Sequence, residues 1–226
     1  MSVRFDSTNE NLRITANLPS NTSYTVFNWM KVINVNAGTT RSLMAFRDQS
    51  AGQYHFARLE SDNGLLISGD RAATTSAVSP QPTLTDWFCW AWVVNGTGAN
   101  AAKFYIRQQQ ASSWTSNTCT SGTWSTFTPT DLLIGVDTIN FDCERRYLRI
   151  WDAALSESEL NAEFNSTTVV RTANLNRDIQ LNDAATALTD YSGNGYNVTK
   201  NGTLTDGASE PVISTYKPRL MLMGIG

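Results

Sequence analysis

One histidine, His55, and three cysteines, Cys89, Cys119 and Cys143, occur in 226 residues, and this scarcity removes whole classes of chemistry. No CxxC, no HExxH and no second histidine is present, so a Cys/His zinc site lacks ligands. A Ser-His-Asp triad would rest on His55 alone, and nothing around it resembles a nucleophile turn. In Tyr54-His55-Phe56-Ala57-Arg58 the histidine reads as a strand residue. There is no GxxxxGK[ST] loop and no strand-GxGxxG-helix. Three cysteines cannot all pair within one chain. They read as free, mostly buried thiols, with a Cys119–Cys143 disulfide as the alternative.

Charge is equally sparse. Charged residues make up 16% and hydrophobic residues 41%, whereas an average soluble domain is about 25% charged. Disorder needs the opposite balance. No apolar run approaches the roughly 18 residues of a membrane span. A net charge of −3 argues against general nucleic-acid binding, which draws most of its affinity from a basic face. Met1-Ser-Val-Arg-Phe-Asp6 enters an alternating segment at once, without the basic start and apolar stretch of a secretory signal. Asn-x-Ser/Thr triplets at Asn21, Asn95, Asn165, Asn197 and Asn201 are no more than an Asn- and Thr-rich chain produces by chance.

What is present is a series of short alternating or aromatic runs separated by turn chemistry, the pattern of an all-β chain. Val3–Phe5, Leu12–Ile14, Tyr24–Val32, Ser42–Phe46, Tyr54–Leu59, Leu65–Ile67, Ala102–Arg107, Leu132–Gly135 and Tyr147–Trp151 all read as strands. Asp62-Asn63-Gly64 is a tight-turn signal that makes a hairpin of the runs around it. In Trp87–Val94, Phe88, Trp90, Trp92 and Val94 share one face while Cys89, Ala91 and Val93 share the other. A strand apolar on both faces belongs in the middle of a layered structure.

One stretch departs from the β period. Ser156 and Glu159 form an S-x-x-E capping box ahead of Leu160 and Phe164, which predicts a short surface helix of about two turns. From Val169 onward the chain reads as polar loops. Its last residues, Tyr216–Gly226, are apolar and suit either packing back on the domain or an arm for a neighbouring subunit. No internal repeat and no βαβ rhythm is found. The expectation is two packed antiparallel sheets with one short helix, a single β sandwich over residues 1–211 and a C-terminal tail over 212–226.

The order of these segments resembles the laminin-G-like, concanavalin A-like jelly-roll domains of bacterial and phage proteins. Four stretches carry the likeness. Tyr24-Thr-Val-Phe-Asn-Trp29-Met-Lys31 resembles the "f-T-i-s-a-W-v-k" strand. Asp86–Val94 with Lys103–Ile106 resembles the "W-h-h-v-a-v" and "k-l-Y-v-d-G" strands, although Arg107-Gln108-Gln109-Gln110 replaces the usual Asp-Gly turn. Leu132–Gly135 and Tyr147–Leu160 resemble the "l-r-i-G" and "v-r-i-w-d-r-a-L-s-a-e-E-i" signatures. Leu181–Asp183 with Asp190–Gly195 resembles an adjoining "w-p-L-n … D-x-S-G-N-G" segment. The resemblance implies a jelly-roll fold and a range of roles, among them carbohydrate-binding modules, adhesion domains, surface domains of phage structural proteins and a minority of glycan-cleaving enzymes. It does not decide among them.

Catalysis has little support in the residues. Glycoside hydrolysis needs two carboxylates flanking the scissile bond, and the E-x-D-x-x-E pattern of laminarinase-type jelly rolls is absent. Asp142 and Glu144 could form an acid pair. Followed by Arg145 and Arg146, they read more simply as compensated turn charges. Tyr54 and His55 are adjacent and point to opposite faces, which does not suit lyase chemistry. Binding fits better. Trp114 and Trp124 lie in Ser/Thr-rich loops and are candidate sugar-stacking residues, the simpler role being to plug those loops onto the sandwich. Trp29, Trp90, Trp92 and Trp151 read as core. Calcium is common in related lectin folds and takes oxygen ligands. Asp137, Asn140 and Asp142 form a D-x-x-N-x-D cluster that could hold it, and no other cofactor is expected.

The expected function is therefore a non-enzymatic surface or virion-decoration protein with a lectin-like jelly roll able to bind glycans. Leu220, Met221, Leu222 and Met223 would meet a protein partner or a second copy. Four lysines against thirteen arginines fit interface use. The alternative is a free-standing carbohydrate-binding module for cell-surface or environmental polysaccharide. The expected location is a virion or extracellular surface.

Overall fold

The two-sided burial of the Trp87–Val94 segment decides where the layers lie. The computed structural model describes residues 1–6, 10–19, 22–34, 41–48, 53–59, 65–69, 76–78, 83–119, 128–135 and 142–213. In chain order the strands are β1 (Val3–Phe5), β2 (Asn11–Ile14), β3 (Ser23–Val32), β4 (Arg41–Asp48), β5 (Gln53–Leu59), β6 (Leu65–Gly69), β7 (Ser76–Val78), β8 (Phe88–Asn95), β9 (Ala102–Gln108), β10 (Thr115–Thr118), β11 (Asp131–Gly135), β12 (Cys143–Trp151), β13 (Leu175–Ile179), β14 (Thr199–Asn201) and β15 (Thr205–Asp206). The helix α1 (Glu157–Phe164) follows β12.

Two antiparallel sheets result. An eight-stranded sheet runs β10-β9-β8-β3-β12-β1-β15, with β13 also paired to β12. A seven-stranded sheet runs β14-β2-β11-β4-β5-β6-β7. The hairpin expected between β5 and β6 forms, with Leu59 opposite Leu65, while the Asp62–Gly64 turn lies outside the described residues. Phe88, Trp90, Trp92 and Val94 point between the sheets with Leu12, Ile14, Val26, Met44, Phe46, Leu132, Ile134 and Ile150. Cys89, Ala91 and Val93 point the other way into a second cluster with Phe27, Trp29, Trp151, Leu160 and Phe164. The second layer against β8 is thus a helix with its flanking chain rather than a third sheet. Each buried indole removes roughly 150–250 Å² from water, an upper bound of about 4–6 kcal/mol at about 25 cal/mol/Å². Trp29, Trp90, Trp92 and Trp151, expected as core, are each 0–1% exposed.

The long strand β12 corrects one expectation. Glu144, Arg145 and Arg146 are not turn charges but buried strand residues. The pairing of β12 with β3 shifts register between Arg146 and Arg149, and Tyr147 takes a left-handed φ of 48°. This is a bulge: one extra residue locally reverses the alternation. Before it, Cys143 faces the inter-sheet core; after it, Leu148 and Ile150 do, while Arg149 and Trp151 face α1. Asn28 staples the bulge, donating to the Arg146 carbonyl at 2.9 Å and accepting from Arg145 at 3.1 Å.

A second correction concerns residues beyond Val169, read as loops. They include β13, β14 and β15. Arg177 and Asp178 are buried within β13 by pairing, so hydropathy hides the strand. The other two are only three and two residues long and are defined by backbone pairing to edges. Past β15, Gly207 donates to the Ser2 carbonyl at 2.9 Å. A Cβ at Gly207 would collide with Ser2 Oγ. Among the described residues no helix is long and apolar enough to cross a membrane.

Candidate glycan-binding face

The outer face of the eight-stranded sheet is covered over β3 and β12 by helix α1 and its flanking chain. Helix α1 starts at the Ser156 cap, where both halves of the expected capping box are made. Its far end is tied to the sheet through Glu163. One Glu163 oxygen accepts from Arg149 at 2.7 Å, and the other accepts the amides of Val170 and Arg171 at 2.9 and 2.6 Å. The Arg149 and Glu163 side chains are both 0% exposed, and Asp178 lies 3.6 Å from the same guanidinium. Burial pushes the Glu163 and Asp178 carboxyls above their ordinary pKa, against the pull of Arg149. Burial also drives the Cys89 thiol well up, so it behaves as a small core residue.

Trp114, one of the two indoles expected to stack on sugar, belongs to this covering layer. It is 8% exposed and packs edge-on against Phe164, Tyr105 and Phe27 at centroid distances of 5.6, 6.2 and 6.5 Å. Its rings are taken by protein, so it plugs its loop onto the sheet and offers no stacking platform. Trp124 lies outside the described residues.

The outer face of the seven-stranded sheet is different. The registers align Thr199, Arg13, Leu133, Ala45 and Phe56 in one row across β14, β2, β11, β4 and β5. Asp131, Arg47 and Tyr54 form the next row. The alternation of each strand puts these residues on one face, opposite Leu12, Ile14, Leu132, Ile134, Met44 and Phe46. Asp131 is the hub. It accepts from Arg47 Nε and Nη2 at 2.8 Å each, a bidentate pair, and from Arg13 Nε at 3.0 Å. The Asp131 side chain is 0% exposed, whereas that of Arg13 is 40% exposed. Tyr54, Phe56 and Arg58 are half-buried, and the Arg58 guanidinium lies 4.8 Å from the Phe56 ring centroid. Ala45, the smallest side chain of the row, separates Leu133 from Phe56.

Such a face combines ring surface with fixed planar donors. Aromatic rings can meet the apolar C–H face of a pyranose. Guanidinium N–H groups donate to hydroxyl oxygens, while the buried Asp131 carboxylate serves only to hold the arginines. The ion pairs hold the arginines in place, so little side-chain entropy is lost when a ligand docks. None of these six residues stands out in the sequence as a site. The available signal was weak: Arg13, and then Tyr54, Phe56 and Arg58, occupy the outward positions of strands whose inward positions are packed.

The other expected residues are placed as follows. Asp142 is engaged by Arg4 through two 2.8 Å hydrogen bonds, and Asp137 and Asn140 lie outside the described residues. Glu144 turns instead to the Ala208 amide, at 2.8 Å, and the Ser209 hydroxyl. The two carboxylates of the supposed acid pair therefore serve separate partners and do not converge. Asp190 caps its own loop, accepting from the amides of Asp178, Ser192 and Tyr196. Among the described residues no three His, Cys, Asp or Glu side chains gather as a metal site. His55 is a buried residue of β5, as read from the sequence. Cys89, Cys119 and Cys143 are free and buried, so the alternative Cys119–Cys143 disulfide is not formed. Leu220, Met221, Leu222 and Met223 lie outside the described residues.

Comparison with known proteins agrees with this architecture. A family model described as the concanavalin A-like lectin/glucanases superfamily matches residues 6–161. No curated protein is significantly similar in sequence. Among solved structures, a putative carbohydrate binding protein from Bacteroides ovatus superposes with a TM-score of 0.60 at 14% identity, over 94% of this chain and 62% of that one. A native heptameric SAP-like pentraxin from Limulus polyphemus superposes with a TM-score of 0.55 at 14% identity, over 94% and 97% of the two chains. Tailspike protein 2 of an Escherichia coli O157:H7 bacteriophage gives a TM-score of 0.52 at 11% identity, over 75% of this chain and 25% of that one. At these identities the likeness is one of fold.

Proposed function

The chain belongs to the concanavalin A-like lectin/glucanases superfamily, and from that premise we propose that it is a non-enzymatic glycan-recognition domain that binds through the outer face of its seven-stranded sheet. One observation carries the reading. One sheet face is covered by a helix and a buried ion pair, while on the other the half-buried Tyr54, Phe56, Arg58 and Arg13 lie around the buried Arg47–Asp131 pair. The fold likeness to the putative carbohydrate binding protein from Bacteroides ovatus supports the same reading. The reading is non-enzymatic because Asp131, Asp142, Glu144 and Glu163 are each engaged by a guanidinium, an amide or a hydroxyl. No cofactor is part of it.

We place the domain on a virion or other extracellular surface, assembled with copies of itself or with protein partners through Leu220–Met223. An arginine-rich, lysine-poor composition and the tailspike fold likeness support this. A free-standing module is the competing arrangement. A glycan array, with light scattering of the eluting species, tests both. Specific binding without release of reducing ends is expected, together with an oligomer that dissociates when Leu220, Met221, Leu222 and Met223 are replaced by serine. A monomer that binds sugar would favour the free module. Cleavage of the bound glycan would overturn the non-enzymatic reading.

A further inference from the structure

Gln108, Gln109 and Gln110, at the end of β9 and in the turn after it, line a cleft that shares no residue with the sheet face. The cleft, of about 230 Å³, lies between the chain at 85–87, the turn after β9 and the end of β3. Its lining is Lys31, Thr85, Asp86, Trp87, Gln108, Gln109 and Gln110. Gln108 builds it: the amide accepts from Thr83 N at 3.0 Å and donates to the carbonyls of Thr83 and Trp87 at 3.2 and 3.1 Å. Ser209 fixes another wall, accepting from the Trp87 indole N–H at 3.2 Å and from Lys31 at 3.4 Å. Gln109 Oε1 accepts from Val212 N at 3.1 Å, which leaves its NH₂ group for a ligand.

The remaining polar groups have no task. Asp86, Gln110 and Thr85 are exposed, and among the described residues their side chains make no hydrogen bond or ion pair. Elsewhere in the molecule Asp131, Asp142, Asp190 and Glu163 are all tied to protein donors. A carboxylate, two carboxamides, a hydroxyl and an ammonium therefore line one space, beside the edge of the buried Trp87. Lys31 and Asp86 bring opposite charges to the lining. Ligand pockets for drug-sized molecules run about 300–1,000 Å³, so this smaller one suits a single ring entering end-on.

We propose that this cleft is a second saccharide subsite, taking one neutral pyranose at a chain end. The Asp86 carboxylate accepts from two neighbouring hydroxyls, and the Gln109 and Gln110 amides and Lys31 donate to others. The site shares its ligand class with the sheet face but none of its residues, so either can fail without the other.

The test titrates the full chain with methyl glycosides of glucose, galactose and mannose, and with N-acetylglucosamine, following the Trp87 indole N–H and the glutamine side-chain amides by NMR. At least one of these sugars should shift those resonances saturably at millimolar concentration. Asp86→Asn and Gln110→Ala are surface changes that should leave the fold intact within about 0.5 kcal/mol, and each should weaken the response about tenfold. Phe56→Ala should leave it unchanged. No saturable shift with any of the four sugars overturns the proposal. So does a shift that survives Asp86→Asn combined with Gln110→Ala, or an equal response to glycine, which would mark a zwitterion site.

Discussion

Replacing Glu163 by glutamine should loosen the layer that closes the eight-stranded sheet. Arg149 and Glu163 have no side-chain exposure and meet at 2.7 Å, so neither charge is hydrated in the fold. Glutamine keeps one carbonyl oxygen for the amides of Val170 and Arg171, but it removes the counter-charge of Arg149. Asp178 at 3.6 Å then remains as its only close carboxylate among the described residues. Breaking a buried pair on one side costs about 3–5 kcal/mol, because the other charge stays buried and uncompensated. For a chain of this size each kcal/mol lowers Tm by about 2–4 °C, which gives a fall of roughly 6–20 °C. Urea unfolding followed by tryptophan fluorescence would measure it directly, since Trp29 and Trp151 lie under the helix. Converting both partners to methionine should recover only part of the loss, since Asp178 and the amides of Val170 and Arg171 lose their partners. A cost below about 1 kcal/mol for Glu163→Gln, or a double variant worse than the sum of the singles, would refute the reasoning.

Three further outcomes follow from the same structure. Trp114→Ala should cost about 3–5 kcal/mol of stability as a buried aromatic while leaving glycan affinity unchanged in the folded chain; affinity lost without loss of stability would restore it as a stacking residue. Ser156→Ala should cost about 1 kcal/mol by removing the capping box at the start of α1, read from the urea midpoint. Stability should also depend on pH in two opposing limbs. Asp178 has a folded pKa raised by burial above 3.8, so its contribution is full at low pH and is lost as pH rises through the folded value. Burial also pushes Asp190 up, but the amides of Asp178, Ser192 and Tyr196 outweigh it and hold the carboxyl below 3.8, so its contribution is lost as pH falls. Unfolding titrations should show stability rising on acidification from neutral pH, by at most about 1.4 kcal/mol per pH unit per proton, before a fall near the ordinary carboxylate range. Asp178→Asn should flatten the rising limb, and an unaltered slope would contradict the assignment.

The β layers were legible because Phe88–Val94 alternates large and small apolar side chains, and no solvent-facing strand needs both faces apolar. The helix was legible from Ser156 and Glu159, whose spacing satisfies free amides locally. Three things were not. The bulge at Tyr147 depends on Asn28, a residue 119 positions away in sequence, and leaves no local mark. The burial of Arg145, Arg149 and Arg177 depends on partners from other strands and from α1, so charged letters concealed strand interiors. The candidate sheet face is assembled from Arg13, Arg47, Tyr54, Phe56 and Asp131 on four strands, joined only by register. The reading that favoured Trp114 assumed that an indole in a polar loop is exposed. Phe27, Tyr105 and Phe164 provide a socket that the sequence around it does not announce.

The most direct test of the account is the affinity of the best array glycan for the native chain beside Phe56→Ala. Phe56 is a half-buried ring on the outer face of the seven-stranded sheet, away from the inter-sheet core. The account predicts at least about tenfold weaker binding, or about 1.4 kcal/mol, with the fold retained. Equal affinity in the two proteins would mean that sugar does not bind on the seven-stranded sheet.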